Sequence, residues 1–171
     1  RQAGKLRHAR ASCRRRGRRE QAPAQPFPPP HQPLLAPAAG VRRRIMLACA
    51  PGSQHLLGLT IVSEFFRKER WQVVVEISAT AHELAQAISN EWFEVLGLSV
   101  GVVEQLEDLP ALIQTLRQHS RNPEMRVLLG GPAFFTQTVE ATRLGADGIS
   151  LDAAEAVALA VRLMETAGGS R

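Results

Sequence analysis

From Arg44 onward, short apolar runs alternate with stretches whose apolar side chains recur at helical spacing, the pattern of repeated βα units on a parallel sheet. Five units can be counted. A first strand over Ile45 to Ala50 precedes a helix near Leu57 to Glu69 that carries Leu59, Val62, Phe65 and Phe66 on one face. Val73 to Ile77 reads as the second strand. Its helix runs from about Ala81 to Glu91 behind a Ser78 or Thr80 cap, with Leu84, Ala87 and Ile88 spaced for burial. The third strand is Val95 to Val100, with a helix near Glu107 to His119. The fourth is Arg126 to Leu129, with a helix near Phe134 to Leu144. The fifth is Gly148 to Leu151, before a last helix over Ala153 to Ala167.

The first, third and fourth strands are almost wholly apolar, as expected where helices cover both faces of a sheet. This predicts an α/β, flavodoxin-like, doubly wound five-stranded sheet of order 2-1-3-4-5. Its ligand crevice should open at the carboxyl ends of the strands, at the switch point between the first and third. Those ends carry His55, Ser99 and the pair Gly130-Gly131.

Composition divides the chain in two. Residues 1–20 hold nine Lys or Arg against Glu20, and seven of the eleven prolines fall between Pro23 and Pro37. Residues 1–40 show no periodicity and are expected to be a disordered tail before a domain at 43–167. The remaining 151 residues hold twelve basic and fifteen acidic side chains, so the net charge of +5 belongs to the tail. A solvated tail is the favoured reading of the arginines, and direct DNA binding by the folded domain is not indicated. The first Met is Met46, so the chain reads as a fragment or as carrying upstream residues foreign to the domain.

Two cysteines, Cys13 and Cys49, without a Cys-x-x-Cys spacing, indicate neither a disulfide framework nor a zinc site. With no secretory segment and no membrane-length apolar run, a reducing cytoplasm is the expected compartment and Cys49 an unreactive buried thiol. His8 and His31 fall in the tail, and His82 and His119 are expected on polar helix faces. Trp71 and Trp92 are expected to pack at element edges. Core packing is the first expectation for Phe134 and Phe135, and bracing of a pocket the second.

The candidate chemistry lies in the loops. Ala50-Pro51-Gly52-Ser53-Gln54-His55-Leu56-Leu57-Gly58 places an imidazole one loop past the first strand. Neutral imidazole is the commonest metal ligand, although a lone loop His is ordinarily just solvated. At the third strand's end, Ser99-Val100-Gly101 sets a hydroxyl beside a glycine. At the fourth, Gly130-Gly131-Pro132 removes two side chains in succession and admits a close approach.

These blocks, with forty residues between Gly58 and Ser99 and twenty-eight between Gly101 and Gly130, resemble the cobalamin-binding domain family over residues 44–166. That family's pattern is Asp-x-His-x-x-Gly, then Ser-x-Leu, then Gly-Gly. Here Ser53 stands where the pattern has Asp, and Gly101 where it has Leu. Within the family, the runs Ala50 to Gly58, Glu64-Phe65-Phe66-Arg67, Glu91 to Ser99, Ser120-Arg121-Asn122 and Gly130-Gly131-Pro132 look most like the AerR/PpaA group. Those proteins are photosynthesis regulators that counteract a repressor of the CrtJ/PpsR type.

The resemblance implies cobalamin bound base-off and His-on, with His55 as cobalt's lower axial ligand and the nucleotide tail in the slot between the first and third strands. Ser99 would hydrogen-bond the tail's base. Gly58, Gly130 and Gly131 would leave it room, and Ser53, Gln54, Gly101 and Asp147 would contribute contacts. A carboxylate two residues before the His would raise ligand basicity and relay a proton, which Ser53 cannot. The expectation is therefore a light- or redox-responsive regulator and not an enzyme. A haem-sensing domain on the same scaffold, or a corrinoid carrier subunit of a methyltransferase or mutase, are the alternatives. Light-sensing relatives carry a helical bundle before this domain, a pattern that residues 1–40 lack.

Overall fold

The computed structural model describes residues 43–53, 56–77 and 79–168. The expected tail, with Cys13, His8 and His31, lies outside the described residues, as do Gln54, His55 and Ser78. Five parallel strands, β1 (Arg44–Cys49), β2 (Gln72–Glu76), β3 (Val95–Ser99), β4 (Arg126–Gly130) and β5 (Gly148–Ile149), form one sheet. They are ordered β2-β1-β3-β4-β5 as expected, with Met46 level with Val74 on one side and Leu96 on the other. The crossovers contain α1 (Leu56–Lys68), α2 (Ala81–Asn90), α3 (Leu109–His119) and α4 (Ala133–Thr136), and α5 (Ala153–Gly168) follows β5.

Because successive strand residues point to opposite faces, the apolar strands supply two cores. Met46, Ala48, Leu96, Leu98, Val127 and Leu129 meet Leu84 and Ile88 of α2 and Ile113 and Leu116 of α3. Ile45, Leu47, Cys49, Val95 and Leu128 face Leu59 and Phe66 of α1 and Ala156, Val157 and Ala160 of α5. Trp71 closes this second core edge-on to Phe66, with ring centroids 5.3 Å apart. Thr80 is the cap of α2. Its hydroxyl accepts from the Glu83 amide at 3.2 Å, while the Glu83 carboxylate accepts from the Thr80 amide at 2.7 Å.

Three expectations are corrected. The single helix over Phe134 to Leu144 is instead the four-residue α4 and a separate 3-10 turn over Ala141–Leu144. Between them Gln137-Thr138-Val139-Glu140 is non-helical, in keeping with the χ1 restriction of the β-branched Thr138 and Val139. His119 is buried, not solvated: its Nδ1 lies 2.8 Å from the Thr115 carbonyl oxygen, which as an acceptor requires the proton on Nδ1. Phe65 stays exposed, with the Lys68 ammonium over its ring. Among the described residues no helix is long and apolar enough to cross a membrane.

Candidate functional site

The carboxyl ends of the strands are tied together. The Ala50 amide donates to the Ser99 carbonyl and the Val100 amide to the Gly130 carbonyl, each at 2.8 Å. On the α1/α5 face, just below these ends, the layers part around a groove of about 670 Å³. Ile45, Leu47, Gly97 and Leu128 form its floor, and Phe66 and Ala156 its sides. Ser99, Gly130, Gly131 and Ser150 stand at the strand ends, and the exposed Leu57, Ile61, Phe135 and Leu151 form the rim. A mostly apolar concavity of this volume with a few polar groups at one end has the make-up of a small-molecule site.

The glycines divide by what holds them. At Gly131, φ is +105° and a Cβ would meet the Val100 carbonyl oxygen at 2.5 Å, so packing of the β3 and β4 ends requires glycine there. At Gly130 a Cβ would stand 3.1 Å from the Ser150 carbonyl oxygen. Gly58 differs. It lies inside α1, where glycine costs about 1 kcal/mol relative to alanine, and a Cβ there would meet nothing within 4 Å. No protein contact accounts for it.

Of the residues expected at the site, Gly58, Ser99, Gly130 and Gly131 come together around the groove. Gln54 and His55 lie outside the described residues, between Ser53 and the start of α1. Ser53 and Gly101 are near the strand ends but do not line the groove. The Ser53 hydroxyl donates to Gln105 Oε1 at 2.7 Å and accepts from the Gly101 amide at 3.1 Å, so these two residues brace the loop. Asp147 is a correction: it lies at the amino edge of the sheet. There its carboxylate accepts from the Val127 amide at 2.7 Å and pairs with Arg117 at 2.6 Å and Arg126 at 3.3 Å, far from the strand ends that line the groove.

Gly97 and Ser150 line the groove, and Gln105 braces the loop beside it, without having been singled out. An isolated glycine within an apolar strand was the available signal for Gly97, whose added Cβ would come 2.7 Å from Leu47 Cδ2 across the floor. Phe134 is in the core, but Phe135 turns outward onto the rim. Burial pushes the Cys49 thiol up, so it stays protonated near neutral pH and is a poor nucleophile or ligand. Among the described residues no three His, Cys, Asp or Glu side chains converge as a metal site. A metal carried in a macrocycle asks the protein for an axial donor only, and the groove leaves room for an appended tail.

Comparison with known proteins agrees with this geometry. The family model "B12 binding domain" matches residues 43–161, well over half of the chain. Among solved structures, a cobalamin-binding protein from Desulfitobacterium hafniense superposes with a TM-score of 0.62 at 23% identity, over 71% of this chain and 59% of that one. The monomethylamine corrinoid protein of Methanosarcina barkeri gives 0.57 at 20%, over 69% and 57%. This chain thus spans less than two thirds of either. A CheY-like protein from Pseudomonas aeruginosa PAO1, at 0.53 and 24% over 77% and 96%, shares the sheet and its helices. These likenesses establish the flavodoxin-like fold, and a comparison with curated protein sequences found no match. By the family model, the chain belongs to the B12-binding domain family and is a cobalamin-binding domain.

Proposed function

We propose that the chain is a regulatory cobalamin module of the AerR/PpaA kind, in which His55 is the lower axial ligand of cobalt and the groove takes the displaced nucleotide tail. The observation that carries this reading is the groove itself. It begins where α1 leaves the His55 loop, and Gly58, three residues on, has open space where a side chain would stand. When bound, cobalamin supplies a metal whose upper ligand is exchangeable under light or a change of redox state. The chain's part is to bind and orient. His55 offers a nitrogen lone pair, Ser99 and Ser150 offer hydroxyls at the groove's polar end, and Leu47, Phe66 and Leu128 exclude water from its depth.

Ser53 supports regulation over turnover. Neutral, and with its proton committed to Gln105, it cannot supply the negative charge that a carboxylate would place behind the imidazole. On this reading the protein is not an enzyme, and its state alters affinity for a transcription regulator of the CrtJ/PpsR type.

The test is an absorbance titration of the chain with hydroxocobalamin, alongside His55→Ala. A spectral shift present in the wild type and lost in the variant is expected, and an identical shift in both overturns cobalt ligation. A partner affinity unchanged by cobalamin, in darkness and after illumination, would remove the regulatory part.

A further inference from the structure

The geometry points to Gln105 as the positioning residue of the cofactor loop, acting through Ser53 in place of the missing carboxylate; this rests on the reading of His55 given above. Gln105 lies in the 3-10 turn Val103–Leu106 that follows β3, yet its side chain crosses to the loop after β1. Its Oε1 accepts from the Ser53 hydroxyl at 2.7 Å, the Gly101 amide at 3.1 Å and the Val102 amide at 3.3 Å. Its Nε2 donates to the Pro51 carbonyl oxygen at 2.9 Å. The partners fix the amide's orientation, since donors surround one end and an acceptor meets the other. Gly52, at φ +88°, lets the chain turn beneath this amide, and the Ser53 amide closes the turn on the Ala50 carbonyl at 2.9 Å.

The consequence is a loop held from both strand ends by one neutral side chain. A carboxamide is the group that fits, because the site needs an acceptor and a donor fixed on one planar end. Leucine supplies neither. Ionised glutamate supplies two acceptors, one of them facing the Pro51 carbonyl, and only its protonated form restores the donor. Preorganising Pro51 to Ser53, on the way to His55, lowers the ordering cost of ligand binding, so loosening it weakens affinity without touching the groove.

The experiment compares wild type, Gln105→Leu and Gln105→Glu. Hydroxocobalamin affinity and the His55-dependent shift are measured at neutral pH, and amide exchange of Gly101 in the cofactor-free chain. Gln105→Leu is expected to speed Gly101 exchange and to weaken affinity about tenfold, the scale of one or two hydrogen bonds. Gln105→Glu, ionised at neutral pH, should also weaken affinity, because an acceptor then faces the Pro51 carbonyl oxygen. Faster exchange with unchanged affinity in Gln105→Leu, or wild-type affinity in Gln105→Glu at neutral pH, overturns the inference. A wild type without a His55-dependent shift overturns the reading beneath it instead, and Gly101 exchange then decides separately whether Gln105 locks the loop.

Discussion

The two faces of the sheet are built from alternate residues of the same strands and end differently. On the α2/α3 face, Leu84, Ile88, Ile113 and Leu116, none more than 1% exposed, close completely over Met46, Leu96, Leu98 and Leu129. On the α1/α5 face, equally apolar strand residues are left under a groove, and Leu57, with 77% of its surface in water, stands at its edge. Hydrophobicity alone does not separate a core from a binding site. What separates them is where small residues interrupt it, here Gly58 in α1 and Gly97 in β3.

The largest effect expected from breaking this contrast is on the closed face. Leu116→Ala should cost about 2–5 kcal/mol in denaturant unfolding, and the folded fraction should keep its cobalamin affinity. A variant that instead lost affinity at full stability would deny that the faces have separate duties. Gly58 tests the other side in two steps. Gly58→Ala should raise stability by roughly 0.5–1 kcal/mol through helix propensity. Gly58→Phe should fold about as well as the wild type and lose cobalamin binding, because the open space at this position would then be filled. Normal binding by Gly58→Phe would place the ligand elsewhere.

The smallest effect sharpens the contrast at α2. Hydrogen bonds from the Thr80 amide, then from the Thr80 hydroxyl, hold the Glu83 carboxyl below the usual carboxylate range. A depressed folded value means that its stabilising contribution is present above the ordinary range, about pH 4.3, and is lost as pH falls through the depressed value. Glu83→Gln should flatten that acid limb slightly without altering ligand affinity at neutral pH. An unchanged acid limb would show the cap to be energetically silent.

How much of this was legible follows from which residues repeat a pattern. The strands and the sheet order are readable because Ile45 to Ala50, Val95 to Val100 and Arg126 to Leu129 are apolar throughout, and two-face burial demands that. The glycine and serine positions around the groove are readable because Ser99 and Gly130-Gly131 fall at strand ends. Gln105 is not readable, since a polar residue in a polar loop carries no periodicity and the two partners that tie it to the other loop, Ser53 and Pro51, lie about fifty positions away. Asp147 misleads for the converse reason: beside a glycine at the entry to a strand it has the look of a loop contact, and only tertiary pairing with Arg117 and Arg126 shows its place at the other end of the sheet. His119 misleads because its helical position carries no sign that the Thr115 carbonyl one turn earlier satisfies its ring.

The outward-turned Leu57, Ile61, Phe135 and Leu151 rim the groove with apolar surface. Contiguous oily surface of that kind invites self-association and capture by holdase chaperones. A ligand that covers it stabilises the native form by mass action and withdraws the same surface from those competing fates. Vitamin supply should therefore set how much of this protein survives in the cell, in addition to what the surviving molecules do.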